Sequence, residues 1–238
     1  MNPEEKLEVI YDGLDDVFNA GYEKGIAQGG GSTHFWDVYQ DYGKRTNYSS
    51  AFYGWDGSIF NPIHDMYPTG DYGADNMFSN MTNIPNMGDL DAFLKDKGIT
   101  LDFKDATRLS GTFNKCSATK LPPIDLSSCT KLIMSFYNMT NLTELTLKNL
   151  RSDCTFDRVF AFSNKLVTLN ITGKIGQNGF SLENNPGISV ASLRNVLNAL
   201  EDKSNDTSTT WILTLGDHLA DLTDADKAIA TGRGWKLE

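Results

Sequence analysis

Few residues in this 238-residue chain have the types and spacing that do chemistry. The histidines are His34, His64 and His218, and none is set in the H-x-x-x-H spacing that places two imidazoles on one zinc ion. No G-x-S-x-G nucleophile turn occurs, and no Cys–His pairing is visible. Cys116, Cys129 and Cys154 lack metal-ligand spacing, and their odd number argues against a complete disulfide framework. They read as small buried side chains. Gly173, Gly176 and Gly179 with Lys174 do not match a phosphate-binding loop and read as turns. Asp89 and Asp91 lack the rhythm of a calcium loop. Asp221, Asp224 and Asp226 suit helix capping better than paired-carboxylate catalysis. A glycoside hydrolase needs two acids brought together by folding, and nothing in the sequence singles out such a pair. The reading is therefore a non-enzyme with no catalytic residue, no metal and no cofactor. What remains is stacking chemistry: Trp55, Tyr67 and Tyr72 are candidates for a platform that binds sugar rings.

Charge narrows the partners. Lysine plus arginine number 21 against 31 acidic residues, a formal charge of −10, and no basic run occurs, so a phosphate backbone or an anionic membrane is a poor partner. No apolar stretch is long enough to cross a bilayer, and Met1 to Glu8 is charged where a secretory signal would be apolar. Six Asn-x-Ser/Thr triplets occur, at Asn47, Asn80, Asn138, Asn141, Asn170 and Asn205; three fall in polar turns that asparagine suits, so turn chemistry explains them better than glycosylation.

Such a platform must be positioned by a scaffold, and four divisions suggest themselves. Residues 1–31 carry an amphipathic helix with Leu7, Ile10, Tyr11, Leu14, Val17 and Phe18 on one face, followed by the Gly29-Gly-Gly-Ser32 break. An isolated helix of this length is marginal in water, so its stripe must be covered by the chain's own body, by further copies or by a larger assembly. Residues 32–100 are aromatic-dense and contain a degenerate copy of the motif below, Phe78-Ser-Asn-Met-Thr-Asn-Ile84; they read as an N-terminal cap.

Residues 101–172 carry the strongest pattern. Leu101, Ile124, Leu147 and Ile171 recur at intervals of about 23 residues, and Phe113, Phe136 and Phe160 keep the same interval. Each phenylalanine leads to an L-x-x-L-x-L ladder: Leu121 to Leu126, Leu142 to Leu147, and Leu166 to Ile171. Alternate ladder residues would point inward from a short strand, and no single unit could bury its own face. The expected core is Phe113, Phe136, Phe160, Leu121, Leu142 and Leu166. Residues 173–238 read as an α/β C-terminal cap. Ser189 heads a helix bearing Leu193, Val196 and Leu197, Trp211 to Leu215 forms a strand, Thr223 and Asp226 open a second helix, and Trp235 to Leu237 forms a last strand. The fold class expected is α+β, a repeat solenoid with a short-strand sheet along one side and irregular coils on the other.

At these residues the chain resembles the BspA-like leucine-rich-repeat family, whose units of about 23 residues share the Phe…Leu-x-x-Leu-x-Leu layout. The end, Leu213-Thr-Leu-Gly216…Leu222-Thr-Asp-Ala-Asp-Lys-Ala-Ile-Ala230 and Gly234-Trp-Lys-Leu237, is similar to that of many such proteins. So are Gly21-Tyr-Glu-Lys-Gly25, Phe35-Trp-Asp37 and Arg45-Thr-Asn-Tyr48…Ala51-Phe52. The family occurs in gut bacteria and in phage or prophage tail regions. The resemblance implies a structural, receptor-binding adhesion protein on a virion tail, recognising a host-cell glycan or protein. Residues 1–31 would then form a homo-oligomer, with a trimer the natural tail symmetry, or dock on the tail assembly. The alternatives are a bacterial surface or secreted adhesin and, more remotely, a carbohydrate-active enzyme. With no leader visible, the tail setting is the expectation.

Overall fold

The structure is a computed structural model and describes residues 47–54, 65–82, 84 and 86–238. The chain divides into two compact units at Gly43/Lys44, and every described residue belongs to the second. The expected helix with Leu7, Ile10, Tyr11, Leu14, Val17 and Phe18 lies outside the described residues, as do Trp55, His34 and His64.

Turns and irregular segments make up most of the described residues, with short strands and a few helices set among them. Helix α1 is Leu90–Asp96, and the strands after it are β1 Arg108–Ser110, β2 Ile124–Asp125, β3 Lys131–Ile133, β4 Glu144–Leu150, β5 Thr155–Asp157 and β6 Thr168–Gly173. Helix α2 Val190–Ala199, β7 Trp211–Leu213, helix α3 Asp224–Thr231 and β8 Trp235–Leu237 complete the chain. Every pairing of these strands is parallel, in three sheets ordered β1-β3-β5, β2-β4-β6 and β7-β8.

This arrangement corrects the expected architecture. The fold is mixed α/β, made of small parallel sheets and few helices, and not an α+β solenoid with strands on one side only. The side expected to be irregular carries the β1-β3-β5 sheet. The reason is physical: parallel partners need equal sequence offsets, and a single repeat period satisfies that need in two places at once. Arg108 pairs with Lys131 while Ile124 pairs with Leu147. Leu101, which its spacing sets in line with Ile124, instead bridges to Met66.

Buried phenylalanines form a column of rings. Phe52, Phe78, Phe113, Phe136 and Phe160 stack in order, with ring centroids 5.1, 5.1, 5.7 and 5.9 Å apart and planes within 19°. Phe180 closes the row edge-on at 5.5 Å. Backbone bonds accompany the rings: Phe78 N donates to Thr112 O, Phe113 N to Ser135 O and Phe136 N to Val159 O, at 2.7 to 3.0 Å. Leu121, Leu142 and Leu166 are buried as well. Around each of the five stacked phenylalanines, Phe180 excepted, the residues two before and two after the ring have positive φ, as at Asn76 and Asn80 or Met134 and Asn138. That double left-handed bend turns the chain sharply enough to aim the ring inward.

The far end is closed by polar side chains. Asn185 Nδ2 donates to Phe160 O at 2.8 Å and to Ser163 O at 3.2 Å, and His218 Nε2 contacts Asn185 O at 3.0 Å. The free edge of β6 is satisfied by α2: Leu169 N donates to Ser192 Oγ and Ile171 N to Asn195 Oδ1. An edge covered this way is no template for aggregation.

Helix α3 begins with a reciprocal cap, Asp226 N to Thr223 Oγ1 and Thr223 N to Asp226 Oδ2. Arg194 on α2 grips the same carboxylate at 2.8 and 3.1 Å. Arg194, and then the Thr223 hydroxyl, hold the Asp226 carboxyl well below the usual carboxylate range. A carboxyl depressed in the fold adds stability above its unfolded pKa of about 4, and that stability drains away as pH falls below it. Asp226→Asn should therefore lower the thermal midpoint at pH 7 and flatten its decline between roughly pH 4 and pH 2. A variant whose midpoint tracks the wild type throughout would show that the grip contributes nothing.

Candidate functional site

The stretch 65–72 is laid beside 100–107 by two bridges, Met66 to Leu101 and Gly70 to Ala106. These pairings fix where two exposed tyrosines stand. Tyr67 is 39% and Tyr72 62% exposed, an unusual position for large rings in a fold that buries its column of aromatics so completely. Tyr67 OH donates to Asp65 Oδ2 at 3.1 Å, and Thr100 N donates to Asp65 Oδ1 at 2.6 Å.

Tyr72 is held by a charged pair. The Arg108 guanidinium, on β1, sits 4.4 Å from the Tyr72 ring centre, and both its Nε and Nη2 donate to the Asp75 carboxylate. A fork gripped at two points is rigid, and stacking on a ring suits its planar, weakly hydrated charge. The Asp75 hydrogen bonds raise the Arg108 pKa above its ordinary value. Asp71, beside Tyr72, accepts from Thr107 Oγ1.

The chemistry follows from what is already occupied. Asp75 accepts from Arg108 and Asp71 from Thr107. Arg108 lies over the Tyr72 ring, and the residue is still largely exposed. Among the described residues no group of three or more His, Cys, Asp or Glu is placed to hold a metal ion. Also among them, no helix is long and apolar enough to cross a membrane.

Of the three rings expected to form the platform, Tyr67 and Tyr72 lie on one stretch and Trp55 is outside the described residues. Sequence reasoning missed Arg108 and Asp75. They are far apart in the chain, and no local motif joins them. A further exposed ring it missed is Phe162, 48% exposed, at φ 65° and edge-on to Tyr137 at 5.4 Å.

Comparison with protein-family models, with curated proteins and with solved structures yields no match.

Proposed function

We propose that the protein is a non-enzymatic adhesion protein, associated with a phage or prophage tail, that offers the Tyr72 face to a glycan on the host-cell surface. The observation that carries the reading is the Tyr72 ring, 62% exposed with the Asp75-bound Arg108 guanidinium over it. An apolar ring face with polar groups at its rim is what a pyranose, apolar on one face and hydroxylated at its edge, packs against. The net charge of −10 favours a neutral sugar over an acidic one. The setting on a tail is supported by the sequence resemblance to BspA-like proteins, and attachment would fall to the apolar stripe from Leu7 to Phe18.

The test is an array of bacterial surface polysaccharides probed with the wild type and with Tyr72→Ala. The wild type should bind at least one neutral glycan. The variant should bind it about tenfold more weakly, the worth of one aromatic stack of roughly 1 to 1.5 kcal/mol, with an unchanged thermal midpoint. Binding that survives the substitution, or a wild type that binds no glycan, would overturn the proposal.

A further inference from the structure

Two buried thiols occupy matching places on neighbouring segments. Cys129 N donates to Leu126 O at 3.0 Å and Cys154 N to Arg151 O at 3.1 Å, so each cysteine ends a turn of the same build. A threonine follows each. Thr130 donates through N and Oγ1 to Thr107 O, and Thr155 donates through N and Oγ1 to Thr130 O. In the register this ladder sets, Lys131 stands opposite Thr155, so the two cysteines lie one position out of register on neighbouring hydrogen-bonded segments. Such segments run about 4.8 Å apart, and one step of about 3.3 Å along the strand still leaves such a pair within the window of roughly 4.4 to 6.8 Å between Cα atoms that a disulfide spans.

The sulfurs point the same way. Cys129 Sγ lies 3.3 Å from Lys131 O and Cys154 Sγ 3.7 Å from Thr155 O, and Lys131 and Thr155 are register partners of β3 and β5. All three cysteines are buried and free. Cys116 stands apart, ending the turn that begins at Phe113, and burial pushes its thiol up to about 12.

We propose that Cys129 and Cys154 are a redox pair that closes into a disulfide between the ends of these two turns when the protein leaves a reducing compartment. With glutathione disulfide as the oxidant, the Cys129 thiolate attacks one glutathione sulfur and expels a glutathione thiolate. The Cys154 thiolate then attacks the mixed disulfide at the Cys129 sulfur and expels the second glutathione. The protein loses two electrons and two protons, and one glutathione disulfide becomes two glutathiones. The Cys154 hydrogen bond lowers the Cys129 pKa, which fits Cys129 as the first nucleophile. Because both sulfurs are buried, exchange takes place as the chain folds or through local opening. In cytosol the pair stays open; outside it the bond ties together two turns that stand one repeat apart in the chain.

The experiment uses the full chain, reduced and unfolded in urea, then refolded in a glutathione redox buffer or in dithiothreitol and trapped with N-ethylmaleimide added in fresh urea, so that the buried thiols are reached. In the glutathione buffer, intact mass should show one adduct, on Cys116, and peptide mapping should show a link between Cys129 and Cys154. The oxidised form should melt several degrees above the form refolded in dithiothreitol. Cys116→Ala should leave the link intact. Three adducts on the wild type refolded in glutathione, or a link through Cys116, would overturn the assignment. This result and the glycan result are independent, so either can fail alone.

Discussion

Phe136→Ala is expected to cost about 4 kcal/mol of folding stability, the range for emptying a large buried aromatic site. The ring is 0% exposed, with Phe113 stacked at 5.7 Å on one side and Phe160 at 5.9 Å on the other. Alanine would remove both stacks, each worth about 0.5 to 1.5 kcal/mol beyond area burial, and leave a cavity whose walls are held by backbone bonds on both sides. Domains of ordinary stability have roughly 5 to 15 kcal/mol to lose, so the loss is a large fraction of the total. Urea denaturation followed by tryptophan fluorescence measures this. Phe162→Ala is the matched control: that ring is half exposed and touches Tyr137 only by an edge, so its loss should stay below about 1 kcal/mol. Equal losses at the two positions would contradict the packing described.

Gly173→Ala should cost nearly as much, about 3 kcal/mol or more, although it adds only one methyl group. Gly173 has φ 100° and faces Leu150 across the irregularity between the Leu147 and Leu150 pairs of β4 and β6. A Cβ placed there would lie 2.2 Å from Leu150 O and 2.4 Å from Leu150 N. Both are backbone atoms of a paired strand and cannot swing aside. Gly98 separates the two contributions: its φ is 66°, but nothing lies within 4 Å of where its methyl group would stand. Gly98→Ala therefore bears the conformational cost alone, about 1 kcal/mol. A Gly173 variant no worse than the Gly98 variant would show that β4 and β6 approach less closely than stated.

What the sequence showed of this fold was mainly what its periods show. Phe113, Phe136 and Phe160, one repeat apart, are the middle of the ring column, and the ladders from Leu121, Leu142 and Leu166 are buried as well. The caps at Ser189 and Thr223 were legible because hydroxyl-led helix starts have a local cause. The overall class was misread. Strands β1, β3 and β5 are three residues each, too short to show alternation, and Lys131-Leu-Ile133 looks no different from a loop. Helix α1, capped by Asp89, is only seven residues and leaves little helical period to see.

Left-handed turns at Met134, Arg158 and Phe162 were equally hidden. These residue types do not favour positive φ, and the neighbouring segments impose it. At the site, Tyr67 and Tyr72 could be picked out as rings, but their partners could not. The Arg108–Asp75 grip exists only because β1 is brought alongside the 71–75 turn, a consequence of pairing that no local spacing reveals.

A double-mutant cycle on the ring column is the decisive check on that pairing. Phe113→Leu and Phe136→Leu, alone and together, should show a coupling of about 0.5 to 1.5 kcal/mol, because the two rings touch at 5.7 Å. Phe113→Leu with Phe160→Leu, separated by the intervening Phe136, should add within about 0.5 kcal/mol. Additivity in the first pair, or equal coupling in both, would mean that the rings do not stack in this order.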